Sequence, residues 1–325
     1  MIIDVHAHAL REQSLEKLGL MNVGSRKFVY RDRRPQPDYV ELLLYDLEGR
    51  LQSLEERKID LQLIGPPPYF IRKASNENGV EYSRIVNQQT AELVKEGGGR
   101  LGALAVVSWG QPDKAREELK RAVGEYGFRG VAIGSSAANG KPLDAEEYAE
   151  VFGLIEELGL LLFLHPIVAV TRDVLNEYSL NVLIGYPHET AIAVSRMIYS
   201  GMLERHPNLK LVLAHGGGNL AFLKGRIDCG YTAPNYGQNP ECTRNISRPP
   251  SEYFQNIYFD TCVLSPASLQ FLISVVGVNR VVFGSDFPYE IGDAKGELAL
   301  PAIRALSAED QQAVMGGNIA AALPL

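Results

Sequence analysis

Four histidines and one aspartate carry the first chemical signal in this 325-residue chain. His6 and His8 form an HxH pair in MIIDVHAH, His165 closes the apolar run LLLFLHP, His215 opens HGGG after LVLA, and Asp286 stands in VVFGSDFP. Each follows a short β-branched or leucine-rich run, so each falls at the C-terminal end of a predicted strand. Side chains two apart on a strand face the same way, so both imidazoles of the HxH can point into one cavity. Three neutral imidazoles and one carboxylate suit a divalent ion such as Zn²⁺, with a position left for water or substrate. The two remaining histidines lack this placement. His206, in ERHPN, reads as a structural residue at a helix end, and His188, in GYPHET, reads as the opening of a helix without an assigned role.

The elements that must position these residues alternate along the chain. Strand candidates lie at 2–6, 60–64, 101–107, 130–133, 160–165, 210–215, 257–260 and 280–283. Helical periodicity fills 44–58, 82–96, 113–126, 145–158, 189–204 and 266–276. Near-continuous apolar strands are buried on both faces, the signature of a parallel sheet covered by helices. Eight such units predict an α/β fold, a single (β/α)₈ TIM barrel spanning 1–325, rather than an open doubly wound sheet. Closing strand eight against strand one would make Asp286 a neighbour of the HxH pair. No GxGxxG follows a strand to suggest a dinucleotide site.

Two connections are long, after strands one and six. Residues 9–40 read as a lid-like insertion whose Arg31–Asp32–Arg33–Arg34 run is a solvated face, and residues 231–250 are rich in Pro, Asn and Gly. Both are expected at the C-terminal ends of their strands, the active-site face of such a barrel.

Composition bounds the function classes. Apolar residues make up 46% and charged residues 22%, as in ordinary globular proteins. A net charge of −7 argues against a nucleic-acid partner, which needs clustered positive charge. Cys229, Cys242 and Cys262 contain no CxxC pair and predict neither a zinc ribbon nor a disulfide framework. The N-terminal segment lacks the basic start and apolar core of a signal peptide, and the longest apolar run, 158–164, falls short of the ~18 residues that cross a bilayer. No membrane association and a cytoplasmic location are therefore expected.

The HxH, the strand-five His, the strand-six HGGG and the strand-eight GSDFP together resemble the amidohydrolase superfamily. The likeness is strongest to the branch typified by α-amino-β-carboxymuconate-ε-semialdehyde decarboxylase. It covers nearly the whole chain and is densest from Gly185 onward, through GYPHETAIAVSRMIYSGMLERHPNLKLVLAHGGG, GRIDCGY, FDT, VVFGSDFPY and GNIAAALP. The resemblance implies that His6, His8, His165 and Asp286 hold one divalent metal, usually Zn²⁺, with Mn²⁺ or Mg²⁺ as alternatives. Strand four, GVAIGS, has no lysine of the kind that bridges two metals in binuclear members. His215 is then the acid/base that activates or orients water at the metal, which can lower a water pKa from about 15.7 to about 7.

The same resemblance places Arg50 and Arg226 at the positions of two substrate-carboxylate arginines, the second reaching across a homodimer interface. A guanidinium grips a carboxylate through two parallel hydrogen bonds, so a small acidic molecule is the implied substrate. Two departures bear on its identity. Val182 lies near where the family decarboxylase carries a tryptophan, and Tyr289 replaces a typical phenylalanine after the strand-eight aspartate. A smaller wall residue reshapes the pocket, and the Tyr289 phenol can hydrogen-bond a substrate hydroxyl.

The resulting expectation is a metal-dependent, non-oxidative decarboxylase of a small unsaturated or aromatic carboxylic acid, with Asp286 or His215 delivering the proton that replaces CO₂. The alternative is a metal-dependent hydrolase or hydratase, acting on a lactone or related substrate with the same ligand set. The proton-transfer role of His215 is testable. The His215→Ala variant is expected to lose turnover while its metal content, measured by atomic emission, stays near wild type. Loss of the metal would make His215 a ligand instead.

Overall fold

The computed structural model describes residues 1–11, 44–76, 78–137, 140–167, 173–233 and 240–323. Most of the predicted lid at 9–40 lies outside the described residues.

Eight parallel strands form one sheet in sequential order: β1 (Ile3–His8), β2 (Leu61–Gly65), β3 (Leu101–Ala105), β4 (Gly130–Ile133), β5 (Leu161–Leu164), β6 (Lys210–Leu213), β7 (Ile257–Asp260) and β8 (Val281–Val282). The sheet closes on itself through Val5 N to Phe283 O (3.0 Å), Asp286 N to His6 O (2.8 Å) and His8 N to Phe287 O (2.7 Å). The chain is thus the expected (β/α)₈ barrel. β1 runs two residues beyond its predicted end, because the HxH pair still takes ladder bonds from both neighbours. β8 is only two residues long, because the chain after it bonds β1 irregularly rather than as a continuous ladder.

The apolar strands face two ways. Val5, Leu63, Leu104, Phe163, Val212 and Val282 fill the barrel interior. Ile64, Val131, Leu162 and Leu213 pack outward against the helices. Each fully buried side chain of this kind contributes about 1.5–3 kcal/mol.

Those helices include α1 (Leu47–Glu56), α2 (Pro68–Ala74), α3 (Gly79–Glu96), α4 (Pro112–Tyr126), α5 (Ala149–Glu157), α6 (Tyr186–Tyr199), α7 (Lys224–Thr232) and α8 (Pro266–Val276). The N-cap carboxylate of Asp46 accepts from Gly49 N (3.1 Å) to start α1, and the Ser265 hydroxyl accepts from Ser268 N (3.3 Å) to start α8. Among the described residues, no helix is long and apolar enough to cross a membrane.

Two expectations need correction. The helix predicted over 189–204 is broken, because Gly201 sits at φ 74° between α6 and a short turn at Met202–Arg205. The segment at 231–250 does not directly follow strand six. The missed helix is α7, which buries none of its residues and so leaves no apolar periodicity to read. The described part of the segment then runs toward the foot of β7. There Asn245 Nδ2 donates to Tyr199 O (3.3 Å) and Ser247 Oγ donates to Glu204 Oε1 (2.6 Å). Tyr199 ends α6 and Glu204 lies just ahead of β6, so this contact is at the strand N-termini, opposite the predicted site.

The Gly201 break is also a packing requirement. A Cβ there would lie 2.3 Å from Asn245 O. With left-handed strain added, Gly201→Ala is expected to cost about 2–4 kcal/mol in urea unfolding and to leave metal binding unchanged.

Candidate active site

The barrel gathers the predicted ligands at the C-terminal ends of its strands. His6 and His8 leave β1 on the same face, His165 follows β5, and Asp286 follows β8. All four are buried, and one potential ligand atom from each lies within 4.8 Å of the other three. Asp286 Oδ1 sits 3.1 Å from both His6 Nε2 and His8 Nε2. Yet none of these three atoms has a hydrogen-bond partner. Buried polar atoms converging at short range without mutual hydrogen bonds fit a shared cation.

Each imidazole is turned by an acceptor on its far side. His6 Nδ1 faces Asp260 Oδ2 at 2.6 Å, His8 Nδ1 faces Pro66 O at 3.1 Å, and His165 Nδ1 faces Pro166 O at 2.8 Å. A carbonyl only accepts, so the proton of His8 and of His165 sits on Nδ1 and the Nε2 lone pair points inward. The Asp260 carboxylate does the same for His6. It is itself held by N–H groups of Gly216 (2.8 Å) and Cys262 (3.0 Å), both donating to Oδ1. Asp260 lies within the FDT phrase, but spacing alone gave it no role. Its place at the end of β7 was the available signal.

The electrostatics ask for positive charge. Burial pulls His6 down, but Asp286 and Asp260 outweigh it and push it up to about 10. Burial works to raise Asp286, and His6, His215 and His8 hold it well below the usual carboxylate range. His8 and His165 are lowered, first by burial and then, for His165, by the neighbouring imidazoles. A divalent cation meets that demand without requiring a buried imidazolium.

His215 stands just outside the four, its Nε2 3.4 Å from Asp286 Oδ2, and it remains 18% exposed. Its backbone is left-handed, at φ 55°, as is that of Asp286 at φ 57°. Such conformations cost non-glycine residues about 1–3 kcal/mol and concentrate at functional sites. The glycines after His215 let the turn pass. A Cβ on Gly216 would lie 2.3 Å from Val263 Cγ1, and one on Gly218 would lie 2.0 Å from Pro187 O.

Aromatic rings line the approach. Tyr289 is buried against His8, with ring centroids 5.2 Å apart. Tyr186, which the sequence reading passed over within GYPHET, lies nearly parallel to His215 at 6.5 Å and edge-on to His165 at 6.0 Å. Burial and Asp286 push the Tyr186 phenol up to about 12, so it stays a hydrogen-bond donor at neutral pH. Val182 lies in the turn Asn181–Gly185 that leads into α6.

The remaining candidates scatter. Arg50 is only 2% exposed and belongs to a buried hydrogen-bond network, while Arg226 is exposed on α7. His206 Nδ1 pairs with Glu156 Oε2 at 2.9 Å, a structural contact, and His188 is exposed at the start of α6.

A closed parallel barrel with buried imidazoles and a carboxylate gathered at its strand ends defines a class of barrel with a potential metal site, and the chain belongs to the amidohydrolase family, whose model matches residues 3–325. It is 31% identical over 276 residues to 2-amino-3-carboxymuconate-6-semialdehyde decarboxylase of Dictyostelium discoideum, covering 84% of this chain and 75% of that protein. It is 26% identical over 269 residues to gamma-resorcylate decarboxylase of Rhodococcus jostii, covering 78% and 80%. Among solved structures, 5-carboxyvanillate decarboxylase from Sphingomonas paucimobilis superposes with a TM-score of 0.83 at 26% identity, over 99% of this chain and 98% of that one. A dihydroxybenzoic acid decarboxylase from Polaromonas, 21% identical with a TM-score of 0.81, holds manganese.

The Asp260 contact makes a direct prediction. Asp260→Asn keeps an acceptor for the two backbone N–H groups but sets an amide against His6 Nδ1. Zn²⁺ affinity, measured by chelator competition, is expected to fall about 10–100-fold. An unchanged affinity would remove Asp260 from the site.

Proposed function

We propose that this chain is a metal-dependent, non-oxidative decarboxylase of a small unsaturated or aromatic carboxylic acid. The observation that carries the reading is the group of four buried ligand atoms within 4.8 Å of one another, with His215 beside it. The family membership and the decarboxylases among the chain's relatives support it.

His6, His8, His165 and Asp286 hold a single divalent cation in this reading. When bound, that ion polarises a substrate oxygen and stabilises negative charge as it develops. Zn²⁺ suits three imidazoles and one carboxylate best, with Mn²⁺ or Mg²⁺ as alternatives. As the bond to the carboxylate carbon breaks, its electron pair stays on the substrate carbon, which takes up a proton while CO₂ departs. His215 delivers that proton, and Asp286, 3.4 Å from its Nε2, orients the ring. Tyr289 and Tyr186 form the aromatic walls that hold a planar substrate and exclude water around it.

We assign the working unit as a homodimer, with Arg226 reaching a neighbouring subunit's substrate. Its exposed position on α7 supports this, as does Phe222, which is 79% exposed and packs its ring against the half-exposed Phe271 at 6.3 Å. Apolar surface of that kind is what a second copy would cover. A cytoplasmic location accords with three unpaired cysteines.

The test is a panel of hydroxybenzoates, carboxymuconates and lactones, incubated with Zn²⁺- or Mn²⁺-loaded protein. Stoichiometric CO₂ from one of the acids is the expected result. Lactone opening without CO₂ release would replace the decarboxylase by a hydrolase.

A further inference from the structure

A second polar network lies behind the ligand cluster, on the side of the sheet that faces α1. The register of β1 against β2 shifts between Asp4 and Ala7. Because of that irregularity, His6 and His8 face the ligand cluster while Asp4, two residues earlier, turns toward α1. The Asp4 carboxylate is fully buried and heavily used. It accepts from Ser285 Oγ (2.6 Å), Ser285 N (3.0 Å), His6 N (3.2 Å) and Gln62 Nε2 (2.8 Å), and Arg57 Nη1 approaches to 3.9 Å.

Arg50, from α1, completes the chain of contacts. Its Nη1 donates to Gln62 Oε1 at 2.6 Å and its Nη2 donates to His8 O. The guanidinium groups of Arg50 and Arg57 both lie over the Phe287 ring, at 4.9 and 4.4 Å. Phe287 N in turn donates to Ser285 Oγ (3.2 Å). The segments flanking Asp286 are therefore tied to the segment carrying His6 and His8 through Ser285, Asp4, Gln62 and Arg50. Backbone bonds from Asp286 N to His6 O and from His8 N to Phe287 O already join the two segments, and the side chains fix their separation from the face toward α1.

We propose that Asp4, Gln62, Ser285 and Arg50 are positioning residues that set the distance between the HxH pair and Asp286, and so tune affinity for the divalent ion. The physical need is strict, because ligand distances must hold within about 0.2 Å. The proposal rests on the metal-site reading and not on the choice between decarboxylation and hydrolysis. It also revises the part that family resemblance implies for Arg50, since its Nη1 and Nη2 donate to Gln62 and to His8 O.

The experiment is a titration of apo wild type, Arg50→Lys and Ser285→Ala with Co²⁺ alone. Competition with a chelator gives the affinity, and the d–d absorption band reports the ligand geometry. Lysine keeps the cation but, with one ammonium, not the fork that spans both acceptors. Both variants are expected to bind Co²⁺ about 10–100-fold more weakly and to shift the absorption band at full loading. Global destabilisation alone would lower the melting temperature of the apo protein without moving that band. Wild-type affinity and spectrum in Arg50→Lys would overturn the assignment of Arg50 and return it to substrate binding. If that variant does not fold, Ser285→Ala decides, and wild-type values there overturn the network. A wild type that binds no Co²⁺ would instead overturn the metal reading, and the network's role with it.

Discussion

A carboxylate has been placed among four imidazoles in the mouth of the barrel, largely out of reach of water, and much of the surrounding architecture answers to that placement. Asp286 touches His6, His8 and His215 at 3.1–3.4 Å. A buried carboxylate facing imidazole nitrogens that present lone pairs is short of positive charge, which a cation between them would supply. The cluster has the make-up of a cation site, and acceptors on the far side of each imidazole determine which nitrogen it presents. Asp260 ends β7, and the carbonyls of Pro66 and Pro166 follow β2 and β5, so the acceptors come from three different strand ends.

The position of His215 beside the four buried residues follows from the same constraint. His215 reaches Asp286 but keeps contact with solvent, and its left-handed backbone leaves the ring edge-on to His6 and His165 at 5.2 and 5.0 Å. That turn is possible only because the next residues are glycines. Strain at His215 and at Asp286 is borne by a strand layer that is fully buried on both faces. Rigid strands holding strained strand-end residues are the usual way this architecture separates stability from chemistry.

A different set of residues flanks the cluster. Tyr186 and Tyr289 lie in the connections rather than the strands, with their rings against His165, His215 and His8. The chain thus presents two phenols on either side of its histidines.

Much of this was legible in the chain itself. Short apolar runs alternating with amphipathic ones are visible because burial on both faces leaves a continuous hydrophobic record, and polar residues at the ends of those runs stand out against it. That is why His6, His8, His165, His215 and Asp286 could be picked out and the barrel inferred. Helix α7 buries no residue fully, with only Ile227 and Tyr231 half-buried against the core, so it left little periodicity, and the described part of the segment after it contacts the opposite end of the barrel from the one expected. The partners of Asp260, Tyr186, Asp4 and Arg50 could not be read for a related reason. A carboxylate beside an imidazole, or an arginine aimed at a carbonyl, depends on distances between residues up to 281 positions apart in sequence. Residue types and local periodicity are properties of the chain, whereas partners, tautomers and burial are created only when the sheet closes.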